Sequence, residues 1–282
     1  MTSDFIVIRD STLSSAIPKG IVVAMGNFDG VHLGHRAVID AALRMGLAHR
    51  KPAFALTFEP HPRSYFSPNT PQFRLSDEAA KLRLLAATGL SGAVVMSFDK
   101  RRAETTAQDF IHHDLIDRLR ISGVAVGYDF HFGKGRVGSP SLLVAEAPRL
   151  GIEIDVQAHI DIAERPVSSS AIRMALAEGQ IEEATAMLGG PWFINGEVIH
   201  GEKRGRDLGY PTANIRLPLS CGLKHGIYAV RVGRGHERFD GVDALIRQMN
   251  DDSRLARERL AASPDAFPQL DPRADFEGRR GF

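Results

Sequence analysis

Short apolar runs rich in β-branched residues alternate with helix-forming segments through the first 188 residues of the chain. Five of these runs predict buried strands: Ile21–Gly26, Ala53–Phe58, Ala93–Ser97, Gly123–Gly127 and Ile152–Gln157. Because strands that alternate with helices form parallel sheets with both faces covered, we predict an α/β domain with a doubly wound parallel sheet over residues 1–188.

Helices are expected between and after these strands. Ser76, Thr106 and Ser139 are residue types that favour helix N-caps, and Thr106 with Asp109 resembles a capping box. The predicted helices are Ala37–Ala48, Asp77–Ala87, a helix from Thr106 to Leu119, one beginning at Pro140, Ser169–Glu178 and Ile181–Leu188.

The pattern changes at Gly189-Gly190-Pro191, which predicts a linker and a second domain over residues 189–282. The runs Phe193–Ile199 and Ile227–Val232 have no helical pattern between them, which indicates a small β domain. A helix is predicted over Val242–Leu260, and the tail from Ala261, rich in Pro, Asp and Arg, is expected to be frayed.

Composition excludes several classes of function. The 35 basic and 34 acidic residues leave a formal charge of +1, which offers no footprint for nucleic acid or an anionic membrane. No apolar run is long enough to span a membrane, the N-terminus lacks signal-peptide features, and a single cysteine excludes an internal disulfide or a cysteine-rich metal site. We therefore expect a cytoplasmic protein without nucleic-acid or membrane partners, and the oligomeric state stays open.

The first strand runs directly into a glycine-rich loop and a helix start, Gly26–His35 (GNFDGVHLGH). Ligands of parallel sheets bind beyond the carboxyl ends of the strands, and the N-terminal amides of a helix favour anions. His32 and His35 are three residues apart, so on an opening helical turn they share a face. A bare His-x-x-His is more often a pair of ordinary loop histidines or half of a metal site, but the surrounding strand, glycine turn and helix favour phosphate binding.

The stretch Gly26–His35 resembles the G-x-F-D-x-x-H-x-G-H signature of the HxGH nucleotidyltransferases. It is more closely similar to the bacterial bifunctional riboflavin kinase/FMN adenylyltransferase (FAD synthetase) family. Three further landmarks of that family follow in order: Thr57–Pro62, Gly127–Gly133 and Val167–Arg173. Ser170 stands where the family has Thr, which keeps the hydroxyl group. The resemblance covers about residues 15–242.

The resemblance implies a Rossmann-like nucleotidyltransferase domain that joins FMN to the AMP part of ATP, making FAD and pyrophosphate. His32, His35 and Arg173 would be catalytic, contacting the transferring phosphates and the leaving pyrophosphate. The implied ATP-binding residues are Gly26, Asn27, Phe28, Gly34, Ser168, Ser169 and Ser170. The alternative for Ser168–Ser170 is a plain N-cap, with Arg173 a solvated helix residue.

The same resemblance implies a flavin side made of flat aromatic and proline surfaces. Its members would be Phe58, Pro60, His61, Pro62, Tyr128, Asp129 and Phe130. Core packing is a strong alternative for Phe58 and Phe130.

The second domain resembles a riboflavin kinase, with a glycine-rich loop from Gly205 that leads into Pro-Thr-Ala-Asn. In that family the corresponding Thr and Asn bind Mg-ATP, which implies Gly205, Thr212 and Asn214 as a Mg-ATP site with Thr212 and Asn214 on Mg²⁺. Residues 191–242 are too few for a six-stranded barrel. We therefore expect an incomplete β-barrel with a C-terminal helix, and a riboflavin kinase activity that is lost or impaired.

Two other functions stay open at this stage. One is adenylyl transfer to another small phosphate compound on the same scaffold, and the other is a flavin-nucleotide-binding paralogue without catalysis. The aromatic Tyr128–Phe132 loop and the attached kinase-like segment favour a flavin acceptor, and the intact His pair with Ser168–Ser170 and Arg173 favours catalysis.

Overall fold

A computed structural model of the chain describes residues 5–10, 17–199, 214–231, 233–234 and 237–238. Its centre is a six-stranded, fully parallel sheet in the order β1-β4-β3-β2-β5-β6. The strands are β1 Ile6–Arg9, β2 Val22–Met25, β3 Ala53–Glu59, β4 Gly92–Ser97, β5 Gly123–Gly127 and β6 Glu153–Gln157. The predicted α/β class and all five predicted strands are confirmed within a residue at each end; only the edge strand β1 was not expected.

The chain order of the strands creates a switch point beside β2. From β2 the chain proceeds outward to β3 and β4 on one side, then returns to place β5 against the other side of β2. The loops that follow β2 and β5 therefore leave the sheet in diverging directions and open a crevice between them. This crevice lies between the Gly26–His35 loop and the loop that begins at Gly127.

The two faces of the sheet bury side chains of different size. Large residues of the inner strands, including Met25, Phe54 and Met96, pack against the helices on one face. The other face is rich in alanine, including Ala24, Ala55 and Ala93, and packs against helices from 33–49 and 78–86. Strands covered on both faces read as continuous apolar runs, which is why the sequence pattern identified them.

The helices are α1 Leu33–His49, α2 Pro62–Phe66, α3 Glu78–Ala86, α4 Lys100–Glu104, α5 Ala107–Asp109, α6 Pro140–Leu150, α7 Ser169–Glu178 and α8 Ile181–Leu188. α5 continues directly into a π-helix, Phe110–Arg118. The N-caps Thr106 and Ser139 are confirmed: their side chains accept the amides of Asp109 and Leu142.

Two predictions about helix starts are wrong. α1 begins at Leu33, four residues before the predicted start, because the side chain of His32 caps it. The N-cap of α3 is Asp77, whose carboxylate accepts the amide of Ala80, and Ser76 binds Asp29 instead. Both residue types favour N-caps, so local preference alone did not separate Ser76 from Asp77.

The segment after β6 forms a small hairpin, Asp161–Ile162 with Arg165–Pro166, and then α7 and α8 at their predicted bounds. α8 ends at Gly189, where φ is 70°, a conformation that favours glycine. Among the described residues no helix combines the length and apolar character that a membrane span needs.

Beyond Gly189 the described residues form two pairs of two-residue strands and stretches without regular secondary structure. Val198–Ile199 pairs antiparallel with Asn214–Ile215, and Gly233–Arg234 pairs with Glu237–Arg238. Only the last two residues of the predicted strand Phe193–Ile199 form a strand. The predicted strand Ile227–Val232 is wrong over its described residues 227–231, which form no ladder. The helix predicted over Val242–Leu260 and the tail from Ala261 lie outside the described residues, and the incomplete barrel and the boundary at 188 stay predictions.

A buried ion cluster fixes the π-helix to α4. Asp114 is 5% exposed and binds the guanidinium groups of Arg102, which is 6% exposed, and of Arg118, at 2.7 Å. We predict that Asp114→Ala lowers the free energy of unfolding by about 3–5 kcal/mol, because Arg102 would keep a buried, uncompensated charge. Urea denaturation measures the change.

The matched control is Asp117→Ala on the same π-helix. Asp117 is exposed and, within the described ranges, pairs with His113 alone, so its loss should cost no more than about 0.5 kcal/mol. Equal losses in the two variants would show that the Asp114 cluster contributes nothing beyond a surface ion pair.

Candidate active site

The loop between β2 and α1 has an unusual backbone at the switch point. Phe28 and Val31 have φ of 53° and 43°, although neither is glycine, and Gly30 has φ of 84°. Such conformations cost free energy and persist where the surroundings hold them. Here the Phe28 side chain is fully buried, and the tight turn delivers His32 to the start of α1.

His32 and His35 share a face, as their spacing predicted. Their rings stack with centroids 3.7 Å apart, and His32 Nδ1 accepts the backbone amide of His35 at 3.3 Å. Phe28 meets the His35 ring edge-on at 5.3 Å. His35 Nδ1 is a buried atom with no hydrogen-bond partner in the described part of the chain. A buried, unpaired ring nitrogen beside a helix N-terminus suits a polar ligand.

Burial and neighbouring cations keep three histidines neutral. Burial lowers the pKa of His32 to about 4, with Asp29 opposing and Arg173 assisting the shift. Burial also lowers the pKa of His61 to about 4 and that of His35 well below its usual value; Lys81 assists in both cases. At neutral pH each ring therefore offers one N–H donor and one acceptor nitrogen.

Asp29 connects three parts of the candidate site. Its carboxylate is 1% exposed and accepts from the amide of Ser76 at 3.0 Å and from Arg173 Nη2 at 2.5 Å. Its backbone carbonyl accepts the hydroxyl of Ser169 at 3.0 Å. One residue thus joins the loop after β2, the segment before α3 and the start of α7. Sequence reasoning gave Asp29 no role, although it lies inside the quoted signature.

The three predicted serines at the start of α7 differ in their hydrogen-bond partners and in their exposure. Ser168 is the N-cap and accepts the amide of Ala171 at 3.1 Å, as the alternative interpretation held. Ser169 binds Asp29, and Ser170 is exposed. Arg173 is not a solvated helix residue: its side chain is 16% exposed and its Nε donates to the carbonyl of Phe73 at 2.5 Å.

A buried lysine to which sequence reasoning gave no role lies close to the loop after β2. Lys81 is fully buried, and its Nζ lies 2.7 Å from Glu59 Oε1 and 3.2 Å from Thr57 Oγ1. Glu59 also forms a bidentate pair with Arg74 at 2.6 and 2.9 Å. Thr57 Oγ1 donates to the carbonyl of Asn27 at 3.2 Å, which ties this network to the loop after β2.

The Lys81 network carries more positive than negative charge. Burial alone would raise the pKa of Glu59, but Arg74 and Lys81 outweigh it and lower that pKa. Burial lowers the pKa of Lys81 against the opposing carboxylate of Glu59. One carboxylate between two cations leaves an excess of one positive charge, which favours an anionic ligand nearby.

The predicted flavin residues divide into buried and exposed ones. Phe58 is 6% exposed and packs within the core against Phe98 and Phe110, as the core-packing alternative described, and its role at the flavin stays a prediction. Phe130 is half-buried and stacks on Phe132. Tyr128 is 52% exposed, and Asp129 is also exposed at the end of β5.

The residues around α2 lie at the carboxyl end of β3. Pro60 is exposed, and the buried His61 caps α2 by accepting the amide of Arg63 at 3.1 Å; Pro62 is the first helical residue. Phe66, at the end of α2, is 65% exposed and forms a cluster of edge-on aromatic contacts with Tyr65 and Phe98. Sequence reasoning missed this cluster, and its signal was three aromatic residues soon after β3 and β4.

The kinase-like residues are only partly described. Asn214 lies exposed in the strand Asn214–Ile215 opposite Ile199. Gly205 and Thr212 lie outside the described residues. Within the described ranges no group of three or more His, Cys, Asp or Glu side chains is placed to hold a metal ion.

A doubly wound parallel sheet with a histidine pair at the helix start beside its switch point is typical of nucleotide-binding α/β proteins. Comparison with known proteins narrows this class. The sequence model of FAD synthetase matches residues 14–171, and that of riboflavin kinase matches residues 188–237. The chain belongs to the family of bacterial bifunctional riboflavin kinase/FMN adenylyltransferases.

Curated relatives with that name come from several bacteria. The protein of Escherichia coli K12 is 40% identical over 232 residues, covering 82% of this chain and 74% of the relative. The protein of Haemophilus influenzae is 36% identical over 237 residues, covering 84% of this chain and 77% of the relative. The protein of Pseudomonas fluorescens is 34% identical over 224 residues, covering 79% of this chain and 72% of the relative.

A solved structure shares the fold. A chain from Streptococcus pneumoniae, described as a macrolide-efflux protein, superposes with a TM-score of 0.65 at 27% identity, covering 75% of this chain and 69% of that one. Its description names a different activity, so the likeness supports the architecture and not the reaction.

The neutral histidines make stability depend on pH. Because the pKa of His61 is about 4 in the folded chain and about 6.5 when unfolded, the unfolded state binds more protons between these values. Stability is therefore full above pH 6.5 and falls as the pH drops toward 4. We predict that His61→Asn, which keeps an N-capping side chain, reduces the loss between pH 8 and pH 4.5 by about 2 kcal/mol.

Urea unfolding of both proteins at the two pH values measures this difference. The values at pH 8 give the baseline cost of the substitution itself. Parallel losses in parent and variant would mean that His61 is protonated equally in the folded and unfolded chains.

Proposed function

We propose that this chain transfers the adenylyl group of ATP to FMN, forming FAD and releasing pyrophosphate, at the crevice between the loops after β2 and β5. The observation that carries the proposal is the stacked His32–His35 pair at the N-terminus of α1, with its unpaired Nδ1 atom on His35. FAD synthesis is also the activity in the names of the family model and the curated relatives.

The reaction needs positioning and charge stabilisation rather than a covalent intermediate. A phosphate oxygen of FMN attacks the α-phosphorus of ATP, and the bond to the β,γ-pyrophosphate breaks. Neutral His32 and His35 would donate hydrogen bonds to the phosphate oxygens without carrying charge of their own. The first amides of α7, at Ser168–Ser170, would add backbone donors on the opposite wall.

Arg173 supplies the charge for the leaving pyrophosphate. In the structure its guanidinium binds Asp29 and the carbonyl of Phe73. A triphosphate offers stronger acceptors than a neutral carbonyl, so Arg173 would exchange one of these partners for phosphate oxygens as ATP binds. The buried Asp29 would keep the guanidinium oriented during that exchange.

The exposed aromatic residues support a flavin as the acceptor. Phe66, Tyr65 and Phe98 form one cluster at the ends of β3 and β4, and Tyr128 is exposed at the end of β5. In the sheet order β3 and β5 flank β2, the strand that leads into the histidine loop, and flat apolar surfaces suit an isoalloxazine ring. Pro60, Pro62 and Asp129 lie on the same strand ends and complete the proposed flavin side.

Magnesium would enter with ATP as part of the substrate. In the second segment Thr212 and Asn214 are the proposed Mg²⁺ ligands of a kinase remnant, and the amide oxygen of the exposed Asn214 is a hard donor that fits this ion. A cytoplasmic location and the lack of nucleic-acid or membrane partners also stay predictions.

Adenylyl transfer is tested by histidine variants that preserve the helix cap. His32→Asn keeps an N-capping side chain for α1 but removes the imidazole, and His35→Gln keeps a polar side chain. We predict that each lowers kcat for FAD formation from FMN and ATP at least tenfold, a loss of about 1.4 kcal/mol in transition-state stabilisation.

His49→Gln serves as the control because His49 lies exposed at the far end of the same helix, paired with Glu153. It should leave kcat unchanged. Near-parental kcat in both His32→Asn and His35→Gln would exclude these residues from the chemistry, and no FAD from the parent would exclude the function.

We further propose that this chain phosphorylates riboflavin poorly. From the sequence we expect the stretch after Gly241 to lack the strands that carry the general base in the family it resembles, and Glu237, Asp240 and Asp243 are the acidic residues nearest to that point in the sequence. Such a base contributes about 10²–10⁴-fold, so FMN formation from riboflavin and Mg-ATP should be slower by at least about a hundredfold than in the Escherichia coli relative.

FAD formation from FMN in the same preparation confirms that the enzyme is folded during this assay. A riboflavin kinase rate within a few-fold of that relative would show that the second segment is complete in a way that the strand count does not reveal.

A further inference from the structure

The carbonyl that accepts a hydrogen bond from Arg173 belongs to Phe73, and the ring of Phe73 contacts residues beyond the predicted boundary at 188. Arg173 Nε donates to Phe73 O at 2.5 Å. The ring of the same Phe73 meets the Trp192 indole edge-on, with centroids 5.7 Å apart and planes at 90°. Trp192 lies in the segment that the riboflavin kinase model matches, residues 188–237.

Trp192 is itself fixed to the loop that it touches. Its Nε1 donates to the carbonyl of Leu75 at 2.8 Å. Leu75 is 2% exposed and packs in one cluster with α7 and α8, and Phe73 and Trp192 lie on the edge of that cluster. The loop Phe73–Leu75 is therefore held by a ring contact at one end and a hydrogen bond at the other.

A second piece of the same segment closes the other side of Phe73. A Cβ atom on Gly222 would lie 2.9 Å from Phe73 Cδ1, so the backbone of this glycine rests on the ring. The following residues reach the C-terminal end of α7, the helix that carries Arg173. The amide of Lys224 donates to Leu176 O at 3.0 Å, and its Nζ donates to Glu178 O at 3.3 Å. The positive charge of Lys224 at this helix end interacts favourably with the helix dipole.

We propose that Phe73 and Trp192 are positioning residues through which the segment 188–237 sets the affinity of Arg173 for the triphosphate of ATP. The inference rests on the proposed function only in naming ATP as the ligand. Phe73 is the point of coupling because its carbonyl binds Arg173 while its ring is held by Trp192 and Gly222.

The coupling works in both directions. A triphosphate that draws the guanidinium away from Phe73 O releases the backbone of Phe73, and its ring then shifts against the indole. Conversely, a displaced ring moves the carbonyl and with it the resting position of Arg173.

The chain contains one tryptophan, so its fluorescence reports this contact directly. Titration of the full chain with ATP in the absence of flavin should give a saturable change in Trp192 fluorescence. The change should disappear in Arg173→Ala, where no guanidinium links the ligand to Phe73. A parent without a saturable signal, or an unchanged signal in Arg173→Ala, overturns the proposal.

A pair of glycine variants tests the reverse direction. Gly222→Ala should press on Phe73 and raise KM for ATP at least about threefold, with kcat and KM for FMN within twofold of the parent. Gly226→Ala in the same segment is the matched control, because the nearest described atom to its Cβ would be the Tyr228 hydroxyl, at an ordinary distance of 3.4 Å. It should leave KM for ATP unchanged. Equal KM values for ATP in Gly222→Ala and the parent contradict the proposal.

Trp192→Phe and Trp192→Ala separate positioning from folding. The Phe variant keeps an aromatic ring against Phe73 and should retain most of the affinity for ATP, whereas the Ala variant should lose it as Gly222→Ala does. Thermal melting identifies a variant that is merely unfolded. If KM for ATP rises as far in Trp192→Phe as in Trp192→Ala, the ring contact with Phe73 is not the cause of the effect and the proposal is overturned. If the parent makes no FAD but ATP still changes the fluorescence of Trp192, the proposed function fails and the coupling stands.

Discussion

The pairing of the buried Asp29 carboxylate is the interaction on which the candidate site of this protein depends. A charge with 1% exposure is costly unless it is paired and hydrogen-bonded. Arg173 and the amide of Ser76 provide those partners, and they come from α7 and from the segment before α3. Satisfying one charge therefore brings three separate stretches of the chain together at the switch point of the sheet, and the histidine pair follows directly in sequence.

The site separates permanent charge from neutral donors. The cations of the site are Arg74 and Lys81, which pair with the partly buried carboxylate of Glu59, and Arg173, which pairs with the buried carboxylate of Asp29. Burial keeps the three histidines neutral, and these cations reinforce the effect. The arrangement suits a reaction in which negative charge moves from the α-phosphorus to a leaving pyrophosphate, because the stabilising groups do not need to change protonation as the charge moves.

The strands and helix caps that the sequence predicted are features that depend mainly on residues close together in the chain. Four of the five predicted strands, β2 to β5, were recognisable because both of their faces are buried, and the caps at Thr106 and Ser139 because a single side chain satisfies the helix start. β1 was missed because an edge strand of four residues has only a short apolar signal. The choice between Ser76 and Asp77 depended on a contact with Asp29, 47 residues away.

By itself the sequence determined the α/β sheet, the positions of its glycine turns, the helix-opening histidine pair and the family, since these depend on periodicity, capping and motif order. Only the tertiary structure decided which residues share a charge or a surface. It placed Phe58 in the core and exposed Phe66, buried Lys81 beneath the site, and linked Arg173 through Phe73 to Trp192. These relations join residues far apart in the chain, and burial, charge pairing and ring contacts at such distances leave no periodic signal in the sequence.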